Sequence, residues 1–346
     1  MKTPTYTPLV VLTRGPIVES MHYGAFAIVD SEGGLIASSG DPLATTYLRS
    51  SAKPLQALPF IESKGHIHWG LTNQEIAIMC ASHTGTDAHV QVLAGLQAKT
   101  GVSETDLLCG VHPPIDETTR IRLLKKGQAP TPNRHNCSGK HSQMLALCRL
   151  THQPLENYID PSHPVQQQIL TTFCEMCDLD SKGVVVGMDG CSAPVFAVPL
   201  KNAALGYARL CDPHSLSSDR AAACQTITSA MTSHPDMVSG PGKFDTRLMA
   251  VAGGKIISKG GAEGYQQIGI LPGGIRPGSP GIGIAIKISD GDARGRARPA
   301  VALEILRQLG ALTPTDLEKL ADFGPRFPVH NWRNIVVGEG SPLITL

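Results

Sequence analysis

Excess charge of either sign is missing from this sequence: 30 Lys and Arg stand against 29 Asp and Glu, a formal net charge of +1. The basic footprint of a nucleic-acid binder is therefore absent, as is an electrostatic tether to an anionic membrane. Long apolar runs are missing too. No stretch approaches the roughly 18 uninterrupted apolar residues of a membrane span. The opening residues hold only the short apolar run Leu9 to Leu12, well below the apolar region of a secretory signal. A soluble, cytoplasmic protein with a small-molecule partner, and neither nucleic acid nor membrane, is the expectation. Aromatic residues make up only 4%, and the nine cysteines are odd in number and scattered. That pattern speaks against a disulfide scaffold and for reduced thiols or metal ligands. What the chain has is 41% hydrophobic residues over 346 positions, enough for a buried core, with 36 Gly and 26 Pro to build turns.

Short apolar runs at Gly24 to Val29 and Leu35 to Ser38 flank Asp30-Ser31-Glu32-Gly33-Gly34, a hairpin signal. Helical patterns follow from about Lys53, from Thr72 with Glu75 at capping-box spacing, over 163–178, and over the Ala-rich stretch 218–233, which His234-Pro235 stops. Strands return at Lys255 to Lys259, Tyr265 to Leu271 and Gly283 to Ser289, then a helix from Ala300 to Leu309 and a last strand near Asn334 to Val337. This strand–helix–strand order predicts an α/β (α+β) chain. Its terminal strands share one mainly antiparallel sheet covered by helices, in a single domain spanning 1–346.

Ser50 and Lys53 are spaced to share one face of a helix start. A serine hydroxyl attacks only when a base removes its proton, and a lysine of lowered pKa meets that need. The plain alternative is that Ser50 or Ser51 merely caps the helix. Far along the chain, Lys259-Gly260-Gly261 closes a strand much as Lys-Thr-Gly does in serine β-lactamases and penicillin-binding proteins, and Ser82 in Ser82-His83-Thr84-Gly85 is placed to act as the loop serine of such a site. Each element alone also fits a surface lysine and a helix end.

Six segments carry a resemblance that runs nearly end to end. They are Leu48-Arg49-Ser50-Ser51-Ala52-Lys53-Pro54, Ala81-Ser82-His83-Thr84-Gly85, Cys109-Gly110-Val111-His112-Pro113-Pro114, Asn136-Cys137-Ser138-Gly139-Lys140-His141, Gly187-Met188-Asp189-Gly190-Cys191-Ser192 and Lys259-Gly260-Gly261-Ala262-Glu263-Gly264. Together they resemble the second asparaginase family, also called class 3 or the Rhizobium etli inducible type. The resemblance implies a serine β-lactamase-like α/β/α sandwich, a homodimer, and hydrolysis of L-asparagine to L-aspartate and ammonia. It also implies two Ser–Lys pairs, Ser50 with Lys53 and Ser82 with Lys259, with Ser50 the preferred nucleophile and Lys53 its base. Zinc is implied at Cys137, Lys140 and Cys191 with water, as a site-forming ion; spacing alone reads those cysteines as buried thiols. Arg49, His83, Asp189, His141 and Glu263 are the substrate-binding candidates. His135 departs from the family pattern, which has asparagine there, and reads either as a ligand or proton acceptor or as a residue holding the loop. The competing readings are a β-lactam-recognising serine acyltransferase and a non-catalytic zinc-stabilised binding protein. Cys174-Glu175-Met176-Cys177 reads as a helical pair, Asp290-Gly291-Asp292 as a turn, and Arg294, Arg296 and Arg298 as a solvated face.

Overall fold

The computed structural model describes residues 4–346. The chain forms two compact units. The first comprises residues up to Ser51, Val198–Asp212 and Arg247–Leu346; the second comprises Ala52–Ala197 and Pro213–Thr246. The backbone passes from one to the other at Ser51/Ala52, Ala197/Val198, Asp212/Pro213 and Thr246/Arg247, so neither unit is one stretch of sequence.

The first unit is built on an eight-stranded sheet. Across it run Phe327–His330, Val336–Pro342, Thr7–Arg14, Ile17–Asp30, Ile282–Ile288, Tyr265–Ile270 and Ile256–Gly260, and Leu35–Ser39 pairs with Ile17–Asp30. The pairings between neighbours are antiparallel. Mixed α/β architecture with a mainly antiparallel sheet, shared by the two ends of the chain, is the expected fold class. Strand Ile282–Ile288 is buried on both faces, which requires cover on both. The helix Leu200–Cys211 supplies it on the face of Gly283, where an added Cβ would lie 1.8 Å from the Ala204 carbonyl oxygen. The helix Ala297–Gln308 also packs on this strand and on Thr7–Arg14.

Asp292 lies ahead of that last helix, whose N-cap residue is Arg296. Its carboxylate accepts the N–H groups of Arg296, Ala297 and Arg298 at 3.0, 3.1 and 2.8 Å, satisfying donors that a helix leaves orphaned. The Asp290–Asp292 turn is thus a cap, and Asp292→Ala is expected to cost about 1–2 kcal/mol by thermal or urea unfolding, with Asp292→Asn losing less. The three arginines nearby are not one solvated face: Arg298 Nη1 donates to the Gly261 and Tyr265 carbonyls at 2.9 and 3.1 Å, and Arg296 Nε approaches His22 Nε2 at 3.4 Å.

The second unit is mainly helical, with one antiparallel pair, Val185–Met188 against Pro194–Pro199. Its centre is Lys53–Glu62, against which Ser138–Leu150, Pro164–Cys177 and Ser218–Ser233 pack. The capping box at Thr72 is present: Thr72 Oγ1 accepts the Glu75 N–H, and Glu75 accepts the Thr72 N–H at 2.7 Å. Cys174 and Cys177 are buried thiols in Pro164–Cys177. Among the described residues no helix is long and apolar enough to cross a membrane.

Candidate active site

Where the backbone leaves the first unit, Arg49–Ala52 forms a 3-10 turn that leads directly into the helix beginning at Lys53. Arg49 enters it at φ +52°, a left-handed conformation that is costly for a non-glycine residue and is retained where the surroundings fix it. Neither serine caps the helix: the N-cap is Ala52, without a side-chain cap bond. Ser51 is instead a structural pin. Its Oγ donates to the Lys259 carbonyl at 2.6 Å, and its own carbonyl accepts from Tyr207 Oη at 2.8 Å. Gly261 lets these segments close up, since a Cβ there would lie 2.5 Å from the Leu48 carbonyl oxygen. Ser50, next along the turn, is half-buried. Lys259 is 1% exposed and donates from Nζ to the Gly260 carbonyl at 2.7 Å. Glu263 is exposed at φ +57°, and its carbonyl accepts a hydrogen bond from Lys287.

The second unit brings Lys53 and Ser82 together. Lys53, 1% exposed, donates from Nζ to the Ala81 carbonyl at 2.5 Å, to Ser82 Oγ at 2.9 Å and to the Asn136 carbonyl at 3.4 Å. Ser82 follows the helix Asn73–Met79 and is anchored through its N–H to the Val238 carbonyl at 2.9 Å. His83 beside it is fully buried, with both ring nitrogens engaged: Nδ1 accepts the Gly85 N–H at 3.1 Å and Nε2 meets Ser138 Oγ at 2.8 Å. Burial first, then the neighbouring His89 and Lys53, hold its pKa well below the usual imidazole value, so the ring is neutral.

Next to this pair lie the three proposed metal ligands. Cys137 is the N-cap of the helix Ser138–Leu150, Lys140 sits in that helix's first turn, and Cys191 follows the strand Val185–Met188. Cys137 therefore belongs to a helix start rather than to an open loop, because Ser138 onward continues helical. Lys140 Nζ donates to Cys191 Sγ at 3.1 Å. A hydrogen bond from Cys191 pulls the Cys137 thiol well below its ordinary pKa, and the Lys53 and Lys140 ammonium groups overcome the opposing cost of burial. That same bond, with burial, raises Cys191. Burial disfavours charged Lys140, but the sulfurs of Cys191 and Cys137, with Asp189, outweigh it and raise its pKa.

A soft metal ion fits the chemistry of these donors. Two sulfurs and an amine suit zinc, and His141 is buried beside them, interacting with the Cys191 sulfur while its Nδ1 pairs with Tyr158 Oη at 2.5 Å. Among the described residues no three His, Cys, Asp or Glu side chains form a metal-ready group. The set therefore depends on Lys140, whose proton zinc would have to displace. Asp189 caps its own turn, accepting the Gly190 N–H at 2.8 Å.

His135 holds the turn: its Nδ1 accepts the Cys137 N–H at 3.0 Å, the bond an asparagine side chain makes at such a position. Burial and the adjacent His112 lower it to about 4.

Residues 10–342 match the L-asparaginase II family. The chain belongs to that family. As an L-asparaginase II protein it is an amidohydrolase, and its substrate class is a carboxamide. Among curated proteins none matches the chain. Among solved structures it is similar to a probable glutaminase from Bacillus subtilis complexed with 6-diazo-5-oxo-L-norleucine, at 12% identity over 83% of each chain with a TM-score of 0.39. It is also similar to Mglu, at 12% identity over 83% of this chain and 67% of that one with a TM-score of 0.46. A Bacillus glutaminase in 4.3 M NaCl matches at 13% identity over 82% and 90% with a TM-score of 0.39.

Sequence reasoning missed the groups that surround Lys53. The Ala81 and Asn136 carbonyls that hold Lys53 are backbone groups, invisible to residue-type patterns. His112 stood in a quoted segment, but its contact depends on the fold.

Proposed function

We propose that this protein hydrolyses the side-chain amide of L-asparagine to L-aspartate and ammonia, using serine as nucleophile and lysine as proton carrier. The observation that carries the reading is the Lys53–Ser82 contact at 2.9 Å. Carbonyl oxygens only accept, so the Ala81 and Asn136 carbonyls can hold two N–H bonds of Lys53. The third direction of Nζ then faces Ser82 Oγ. As ammonium, Lys53 donates to that hydroxyl; as amine, it presents its lone pair there. A lysine so placed passes a proton through a serine in either direction.

In the proposed sequence Ser50 attacks the amide carbon and Lys53 takes its proton. The proton returns through Ser82 to the nitrogen as the C–N bond breaks, releasing ammonia and leaving an ester on Ser50. Water then attacks the ester, giving up a proton by the same route, and Ser50 leaves with a proton as aspartate forms. Lys259 is assigned the second proton-transferring lysine, and Arg49, His83, Asp189, His141 and Glu263 the contacts to substrate. Cys137, Lys140 and Cys191 would hold zinc, whose positive charge would help order the polar groups beside Lys53. The reading treats the whole chain as one catalytic domain, working as a homodimer in the cytoplasm; the nine free cysteines support a reducing setting.

Ammonia release from L-asparagine and L-glutamine tests this. We expect asparagine to be preferred, with measurable glutamine turnover because an extra methylene is worth only about 1–3 kcal/mol of discrimination. Folded Ser50→Ala should be inactive. Full activity in Ser50→Ala with loss in Ser82→Ala would reassign the nucleophile, and glutamine preferred over asparagine would overturn the substrate.

A further inference from the structure

We propose that His112 is a positioning residue for Lys53, acting through Asn136; the proposal rests on the reading of Lys53 as the proton carrier. His112 lies in the loop before the helix Glu117–Lys125 and is half-buried. Its Nδ1 is 2.7 Å from the Pro113 carbonyl oxygen. A carbonyl only accepts, so the ring proton sits on Nδ1 and Nε2 carries the lone pair. That lone pair accepts the Asn136 N–H at 3.1 Å, the shorter of two contacts of Nε2; the Asn136 side-chain Oδ1 lies 3.4 Å from the same nitrogen. The carbonyl of the same Asn136 is one of the acceptors for Lys53 Nζ, at 3.4 Å.

The next amide along the chain is held in the same manner, the Cys137 N–H by His135 Nδ1 at 3.0 Å. The two imidazoles pack against each other with centroids 4.3 Å apart. Successive backbone amides are thus gripped by two neutral rings, and the turn they fix carries the Asn136 carbonyl. Of the three oxygens that accept from Lys53, those of Ala81 and Ser82 belong to neighbouring residues and move together, while the Cys137 sulfur beside Asn136 also interacts with Lys53. Asn136 is the independent one, so its placement decides how the third direction of Nζ is aimed. His112 makes no hydrogen bond to Lys53; it sets the acceptor that orients Lys53.

The test compares the full-length wild type with His112→Leu and His112→Gln. Glutamine Oε1 reaches roughly the place of Nε2 and accepts an N–H; leucine fills the space and accepts nothing. We expect kcat to fall about tenfold or more in His112→Leu with KM changed less than about threefold, and most of kcat to return in His112→Gln. Unchanged kcat in folded His112→Leu, a change confined to KM, or His112→Gln no better than His112→Leu would each overturn the proposal.

Nitrogen NMR of histidine- and lysine-labelled protein decides it without turnover. The His112 ring should be neutral with its proton on Nδ1, and the Lys53 Nζ resonance should shift in His112→Leu and return in His112→Gln. A proton on Nε2, or an unmoved Nζ resonance, would overturn the positioning role. If His112→Leu does not fold, the wild-type tautomer and the Gln variant carry the decision. Failure of the functional reading looks different: the wild type releases no ammonia from either amide while the tautomer and the Nζ shift are as expected.

Discussion

Lys53→Met lowers ammonia release about 10²–10⁴-fold in the expected result, the range a positioned acid–base group contributes. The substitution keeps an unbranched stem of similar length in a buried slot and removes only the nitrogen. Lys53 occupies that slot at 1% exposure, in the first turn of the helix Lys53–Glu62, whose residues Leu55, Ala57, Leu58 and Phe60 are fully buried. The Ala81 carbonyl, which is buried, loses its bond to Lys53, at a cost of about 1–3 kcal/mol for a buried polar group left unmade. A modest fall in melting temperature therefore accompanies a large fall in rate. KM should move little, because Lys53 is spent on proton transfer and not on holding substrate. Purified Lys53→Met retaining more than about a tenth of wild-type kcat would remove Lys53 from the chemistry and with it the Ser82 relay.

The sequence made local devices legible and left distant ones hidden. The Thr72–Glu75 capping box and the hairpin at Asp30–Gly34 each rest on bonds within a few residues, and both are present. The strand Thr7–Arg14 was hidden: its apolar run Leu9 to Leu12 gains meaning only from pairing with Val336–Pro342 at the other end of the chain. The last strand begins later than the expected Asn334, at Val336, for a local reason. Asn334 adopts φ +63° and donates its N–H to the Asn331 carbonyl at 2.9 Å, a turn that ends the preceding hairpin strand, so pairing resumes only at Val336. The helix Leu200–Cys211 went unread because the runs around Val198 and Leu200 suit strand and helix alike.

The site divides the same way. Residue types and spacing point to Ser50, Lys53 and Ser82; Cys137, Lys140 and Cys191 come only through the family resemblance, and the cap reading of Ser50 or Ser51 yields to the Lys259 carbonyl, which engages Ser51. The meeting of Lys53 with Ser82 is a packing result, made by three helices whose sequences carry no sign of one another.

Gly139 is where that packing is most exposed to test. It lies in the first turn of the helix Ser138–Leu150, and a Cβ built on it would fall 2.0 Å from the Ile78 carbonyl oxygen and 2.8 Å from the Ile78 carbonyl carbon. The opposing atoms are backbone in the last turn of Asn73–Met79, so no side chain can rotate away. The helix axes must separate instead. Gly139→Ala is therefore expected to cost more than the ~1–3 kcal/mol typical of an added methyl. About 4 kcal/mol would lower the melting temperature by roughly 10 °C in a protein of this size. The displacement acts on function as well, because one helix carries Lys140 with Cys137 at its start, and the other runs into Ala81 and Ser82. Activity and metal binding should be lost together, below the temperature at which the variant unfolds. Gly95→Ala is the control: it too is a helix glycine, but its added Cβ would meet only the end of the Glu75 side chain, at 3.3 Å. That change should alter stability by no more than about 1 kcal/mol, the size of the helix-propensity difference between the two residues. Equal melting temperatures for Gly139→Ala and the wild type would mean that the two helices are not in the close contact on which the Lys53–Ser82 pairing depends.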